Sequence, residues 1–100
     1  MNYILLPEAD AEYWDAVGYY EKQTPGLGRK FDADFVDTMI SACDFPLACP
    51  EVKPHVRRRL MNIFEYGIFY RIHQNSIVVI AIAHTHRKPD HWEKRLSKYF

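Results

Sequence analysis

The chain has 100 residues, of which 48% are hydrophobic and 15% aromatic. That is enough for one packed domain but not for two, and it excludes global disorder. Formal net charge is zero, yet residues 1–50 carry three basic groups against nine acidic ones, and residues 51–100 carry ten against four, with all five histidines. A neutral total argues against strong nonspecific nucleic-acid binding, while the split sets up one acidic and one basic surface, the latter suited to a polyanion or an acidic protein. Two cysteines, Cys43 and Cys49, are too few for a disulfide framework and read as reduced thiols in a cytoplasmic protein. No basic segment follows Met1, so no secretory leader is expected, and the longest apolar run, residues 77–83, is far too short to cross a membrane.

In chain order, residues 2–6 read as a short strand stopped by Pro7. A helix follows, from Pro7 to about Lys22. Proline suits its first turn, Glu8, Asp10 and Glu12 suit the positive end of its dipole, and Tyr13, Val17 and Tyr20 form an apolar stripe with Trp14 and Ala16 beside it. Thr24-Pro25-Gly26-Leu27-Gly28 breaks the helix, and a second one runs from about Leu27 to Asp44 with Phe31, Phe35, Met39 and Ala42/Cys43 on one face. So short a turn predicts an antiparallel helical hairpin. Phe45 to Pro54 reads as a proline-punctuated connection.

Strand-like sequence fills most of the remainder. Arg57–Ile63 alternates partly, Tyr66–His73 alternates clearly, and Gln74-Asn75-Ser76 is a polar turn into a strand over 77–85. Pro89 is expected to open a last helix, from Asp90 to about Lys98. The order β-α-α-β-β-β-α predicts an α+β domain, a small and mostly antiparallel sheet with the helical hairpin packed on one face.

The candidate functional groups lie where the apolar run empties into His84-Thr85-His86-Arg87-Lys88-Pro89-Asp90-His91-Trp92-Glu93-Lys94-Arg95. A buried strand ending in titratable groups can hold them in fixed geometry. His84 and His86 have metal-ligand spacing with Asp90 or His91 as a conceivable third ligand, but no other feature supports a metal, and none is assigned. The bland role for His84 is a hydrogen-bonded residue fixing the following turn. Arg57-Arg58-Arg59 cannot form one patch, because Arg58 points opposite to its neighbours on a strand. The bland reading of the three is solvation, with one paired to an acidic group. Trp92 reads as the anchor of the last helix. Tyr13, Trp14, Tyr19 and Tyr20 exceed what one buried helix face absorbs, so some are expected at the surface, where aromatics favour a protein interface.

Taken together, several stretches resemble the RelE/ParE toxin superfamily, and its ParE branch more closely. They are Tyr19-Tyr20-Glu21, Gln23-Thr24-Pro25-Gly26-Leu27-Gly28 followed by Phe31, Pro46 and Pro50 before Val52, and Arg57-Arg58-Arg59. Phe64-Glu65-Tyr66-Gly67-Ile68-Phe69-Tyr70-Arg71-Ile72 is similar to the family's Phe-Pro-Tyr-x-Ile-x-Tyr strand, with Glu65 replacing the common proline. His84, Arg87, Pro89, Trp92 and Arg95 resemble its His-x-x-Arg-x-Pro-x-x-Trp-x-x-Arg ending. The resemblance implies the toxin of a type II toxin–antitoxin, plasmid-stabilisation-like module, a growth inhibitor neutralised by a cognate antitoxin encoded beside it.

ParE-type relatives poison DNA gyrase by binding, and RelE-type relatives cut mRNA on the ribosome. A metal-free RNA cut needs a base, an acid and cations around the phosphate. Arg71, His84, His86 and Arg87, with Arg57, are the candidates. However, the RelE-like C-terminal tyrosine has no clear counterpart, since the last helix is expected to carry Tyr99-Phe100 away from the sheet. The favoured reading is therefore a binding toxin with no catalytic residues assigned. Its expected partner-binding residues are Trp14, Tyr19, Arg57, Arg59, Lys94, Arg95 and Lys98, with no cofactor and no membrane, and a homodimer is plausible when the chain is isolated. A ribosome-dependent nuclease and a non-toxic antitoxin-binding remnant stay open.

Overall fold

A computed structural model describes residues 1–88 and 90–100. Its elements are β1 (Asn2–Leu5), α1 (Pro7–Gln23), α2 (Leu27–Asp44), β2 (Glu51–Lys53), β3 (Val56–Leu60), β4 (Tyr66–His73), β5 (Ser76–His84) and α3 (Glu93–Tyr99). The five strands form one sheet in the order β1-β5-β4-β3-β2. β1 pairs with β5 in parallel and the other three junctions are antiparallel, so the expected α+β architecture holds. The β4–β5 turn has Gln74 and Asn75 both at positive φ, the signature of a two-residue hairpin turn.

Three boundaries differ from the sequence reading, each for a tertiary reason. β3 ends at Leu60 rather than Ile63 because the amides of Asn62, Ile63 and Phe64 bond the buried Asp34 carboxylate at 3.0, 2.9 and 3.0 Å instead of a strand. The proline-flanked connection contains the short edge strand β2, too brief for any alternation to show. α3 begins at Glu93, after a turn at 90–92. The proposed helix-opening role of Pro89 lies outside the described residues.

The hairpin closes tightly. Glu21 at the end of α1 accepts the amides of Gly26 and Gly28, serving the open N-terminus of α2 from outside the helix. Gly28 is required there, since a Cβ would stand 2.8 Å from the Val17 carbonyl oxygen. Ala9, Tyr13 and Ala16 of α1, with Phe31, Phe35, Met39 and Ala42 of α2, bury against the sheet. Tyr20, Phe31, Phe64 and Tyr66 form an aromatic cluster with ring centroids 4.7–6.1 Å apart.

On the opposite face, the fully buried Trp92 packs on Phe69 with ring centroids 5.1 Å apart, anchoring α3 as expected. The C-terminus does not leave the sheet. Phe100 lies over Arg71, 4.6 Å from guanidinium carbon to ring centre, and beside His73. Tyr99 donates to Glu8 Oε1 at 2.8 Å, which holds that carboxyl below the usual carboxylate range.

Candidate functional site

β5 outlasts β1, and its edge beyond Val79 is finished by side chains. Leu6 N–H bonds the Val79 carbonyl at 3.0 Å, where β1 gives way to α1. One turn into the helix, Glu12 accepts the Ile82 amide at 3.1 Å, and Arg95 donates to the Ile80 carbonyl at 2.9 Å. Glu12 and Arg95 also pair with each other, at 2.9 and 3.2 Å, with exposures of only 13% and 14%. Backbone groups that a neighbouring strand would have served are thus satisfied by a mutually paired carboxylate and guanidinium.

Arg95 was expected on an interaction surface with Lys94 and Lys98. It is instead turned inward, and only Lys94 and Lys98 stay exposed, Lys98 pairing with Glu8 at 3.2 Å. Glu12 is also close to His91 Nε2, at 3.3 Å without hydrogen-bond geometry, and to Arg87 Nη1 at 3.8 Å. The sequence placed Glu12 only in the helix dipole. Its central position follows from partners 70 and 83 residues away.

The arginine triplet divides as strand alternation requires, but among the described residues no member pairs with an acid. Arg57 donates to the carbonyls of Cys49 and, at 3.4 Å, Leu47, while Arg59 donates to Phe45 at 3.1 Å. Tyr70 donates to Pro46 at 2.9 Å, and burial pushes its phenol up. Arg57 and Arg59, expected to bind a partner, therefore pin the connection after α2. The reason is geometric: that connection crosses the hairpin-side face of β3, within reach of both guanidiniums. Arg58 points the other way, its stem lying across Gly67.

Of the nuclease candidates, His84, His86 and Arg87 cluster at the end of β5, and Arg71 does not join them. Arg71 sits under Phe100 on the α3 face. His84 lies at the strand end opposite Tyr66, five residues further along β4, about 16 Å away, and it packs edge-on against the Tyr66 ring on the hairpin side. His84 Nδ1 accepts the His86 amide at 3.1 Å, which fixes the turn, and the two imidazole rings stack with centroids 5.1 Å apart. His86 and Arg87 are exposed. Tyr99, bonded to Glu8, faces α1. Asp90 is exposed, and His91 Nδ1 bonds Lys88 O at 3.0 Å. Among the described residues no three His, Cys, Asp or Glu side chains gather as for a metal ion.

Two hollows flank the end of β5. One, about 330 Å³, lies between α1 and the sheet and is lined by Glu12, Asp15, Tyr19, Tyr66, His84 and Arg87. Burial pushes the Tyr66 phenol up to about 12. The other lies on the α3 side, about 110 Å³, and is lined chiefly by Arg58, Gly67, His84, Arg87, Lys88 and His91, with no carboxylate among its walls. Trp14 and Tyr19 stay 61% and 58% exposed on α1, the surplus aromatics that the buried stripe cannot absorb.

A helical hairpin on a five-stranded mixed sheet with a short terminal helix defines the architecture of the described residues. It matches a chain of the chromosomal ParDE TA system from P. aeruginosa, with a TM-score of 0.73 and 17% identity, over 84% of this chain and 95% of that one. A search of curated proteins finds no match. The model of the family "ParE toxin of type II toxin-antitoxin system, parDE" matches residues 3–89, and the chain belongs to that family.

Proposed function

We propose that the chain is a growth-inhibiting toxin, neutralised by an antitoxin encoded beside it, which acts in the cytoplasm by binding a protein target such as DNA gyrase. The observation that carries this over RNA cleavage is the separation of Arg71 and Tyr99 from the cluster of His84, His86 and Arg87, and the engagement of their groups elsewhere. Arg71 is occupied by Phe100, His84 Nδ1 by the His86 amide and Tyr99 by Glu8. A cut needs its base, acid and cations within reach of one phosphate. The exposed Trp14 and Tyr19, and the exposed Lys94 and Lys98, are the contact residues of this reading. Such a surface also suits self-association of the isolated chain.

A second reading, a ribosome-dependent nuclease, is favoured by one feature, the gathering of His84, Arg87 and His91 with Arg58 around the smaller hollow. Induction of the chain alone in a bacterial host, with pulse-labelled DNA and protein synthesis, separates the two. Early failure of DNA synthesis with filamentation supports the binding toxin. Early collapse of translation, abolished by His84→Ala or Arg87→Ala in folded protein, overturns it. No growth effect from soluble protein marks an antitoxin-binding remnant.

A further inference from the structure

We infer that the free edge of β1 is a self-association site. A second copy of this chain adds its own β1 there, antiparallel about a two-fold axis at Ile4, and joins the two sheets into one. This places self-association on a strand edge and not on the exposed aromatics of α1, and it does not rest on the toxin reading.

The first observation is unpaired backbone. β1 stands at the end of the sheet, with β5 as its neighbour on one side and no strand on the other. The Leu6 amide bonds the Val79 carbonyl. By strand alternation Asn2 and Ile4 also turn their backbone groups toward β5, and those of Tyr3 and Leu5 point outward. Among the described residues no strand or turn takes up these outward N–H and C=O groups. Such an edge is a template for another strand.

The second observation is the contrast between the two edges of the sheet. β2, at the far edge, has three residues, carries Glu51 and Lys53, pairs irregularly with β3 and is flanked by Pro50 and Pro54. Charge, bulges and proline are the devices that keep a strand edge from pairing. β1 reads Asn2-Tyr3-Ile4-Leu5 and has no charge, no proline and no register shift.

The chemistry of the edge selects its occupant. Tyr3 packs on Phe35 on the hairpin side, with ring centroids 6.2 Å apart, so Ile4 faces the α3 side, where it is 56% exposed. Beside Tyr3 lies a hollow of about 350 Å³ walled by Met1, Met39, Ile40 and Cys43, with Asp44 as the one charged residue in its lining. A charged strand laid along this edge would lose hydration with little to replace it. An uncharged apolar strand with an open edge of its own fits, and β1 is such a strand. About a two-fold axis at Ile4, Tyr3 of one copy faces Leu5 of the other as a hydrogen-bonded pair, which uses every outward N–H and C=O on both edges. Ile4 then meets its own counterpart in a non-hydrogen-bonded pair, where Cα atoms approach to about 4.5 Å and side chains touch. The contact is isologous and closes as a dimer. Pairing of β1 with the β2 edge of another copy would grow a filament, and the charges and irregular register of β2 oppose it.

The test combines sedimentation velocity of the full chain over a wide range of protein concentration with residue-resolved hydrogen exchange. A reversible monomer–dimer equilibrium is expected. The amides of Tyr3 and Leu5 should exchange fast in dilute solution and slowly in concentrated solution, while those of Ile4 and Leu6, already in the ladder with β5, stay unchanged. Ile4→Lys sets like charges opposite one another on the axis and should weaken the dimer at least about tenfold. Trp14→Ala, at an exposed aromatic on α1, should leave the dimer unaltered. Circular dichroism checks that Ile4→Lys folds, and exchange in the parent decides the case without any variant. A monomer at every concentration, a dimer whose Tyr3 and Leu5 amides stay unprotected, or an Ile4→Lys variant that dimerises like the parent would each overturn the inference. If those two amides become protected only when the antitoxin from the neighbouring gene is co-expressed, the edge belongs to that partner and the assignment to a second copy falls. Growth inhibition on induction is read separately, so loss of the dimer leaves the toxin reading intact.

Discussion

The two faces of the sheet use charge in opposite ways. On the hairpin side and along the free edge of β5, charged side chains are consumed internally. Asp34 serves three amides, Glu12 and Arg95 complete the strand edge, and Arg57 and Arg59 hold the connection after α2. On the α3 side, Arg58, Arg87 and Lys88 wall one hollow with no carboxylate in its lining, and of the three only Arg87 lies within 4 Å of a carboxylate, at 3.8 Å from Glu12. Arg57, Arg58 and Arg59 are chemically identical neighbours, yet the middle one belongs to the second group because the side-chain period of a strand is two. Charges satisfied inside the fold act on stability, and charges left over act on what the surface meets.

The sharpest way to break this contrast is to remove what closes each side. Trp92→Ala empties the site that anchors α3 and is expected to cost about 3–5 kcal/mol in urea unfolding. Asp34→Ala leaves three amides without their acceptor and should cost about 3 kcal/mol, with faster hydrogen exchange at Asn62–Phe64. Glu12→Gln should cost about 2 kcal/mol, since it strips the counter-charge from a largely buried Arg95 while keeping the shape. Arg58→Glu, by contrast, should stay within about 0.5 kcal/mol of the parent in the same assay. A stability loss there as large as that of Glu12→Gln would show that Arg58 belongs to the internal set after all.

Alkaline pH gives a further test of the hairpin side. Burial raises the phenols of Tyr3, Tyr13 and Tyr70, and lifts Tyr66 to about 12 from an ordinary value of 10.0. Between those limits the unfolded chain has lost a proton that the folded chain keeps. The stabilisation is therefore complete below pH 10 and drains as pH rises toward 12. Ultraviolet titration should show these phenolates appearing late, together with unfolding; a single early transition for all seven tyrosines would contradict that burial. The smallest expected effect lies at the β4–β5 turn. The double change Gln74→Asn, Asn75→Gly supplies the residues that positive φ favours and should raise stability by about 0.5–1 kcal/mol.

Much of the fold was legible because it rests on local pattern. α2 runs over Leu27–Asp44 as its apolar spacing and flanking glycine and proline indicate, and the β4–β5 hairpin follows from two alternating runs and a polar turn. The turn-fixing role of His84 was legible too, because its partner is two residues away. Arg57, Arg59 and Arg95 were read as surface contacts for the opposite reason. Nothing within a few residues of an arginine reveals that it will meet a carbonyl of a crossing loop, or a carboxylate on a helix at the far end of the chain.

The sequence alone determined where the two long helices and the β4–β5 hairpin lie, how arginine neighbours divide between faces, and that one half of the chain is acidic and the other basic. Those properties depend on periodicity and composition, which any short window displays. Tertiary structure decided which charges are spent and which remain: that Glu12 and Arg95 finish β5, that Asp34 ends β3, and that Arg58 is left beside an open hollow. Such pairings join residues 28 to 83 positions apart, and their identity is set by how the helices, strands and connections pack, which no local pattern encodes.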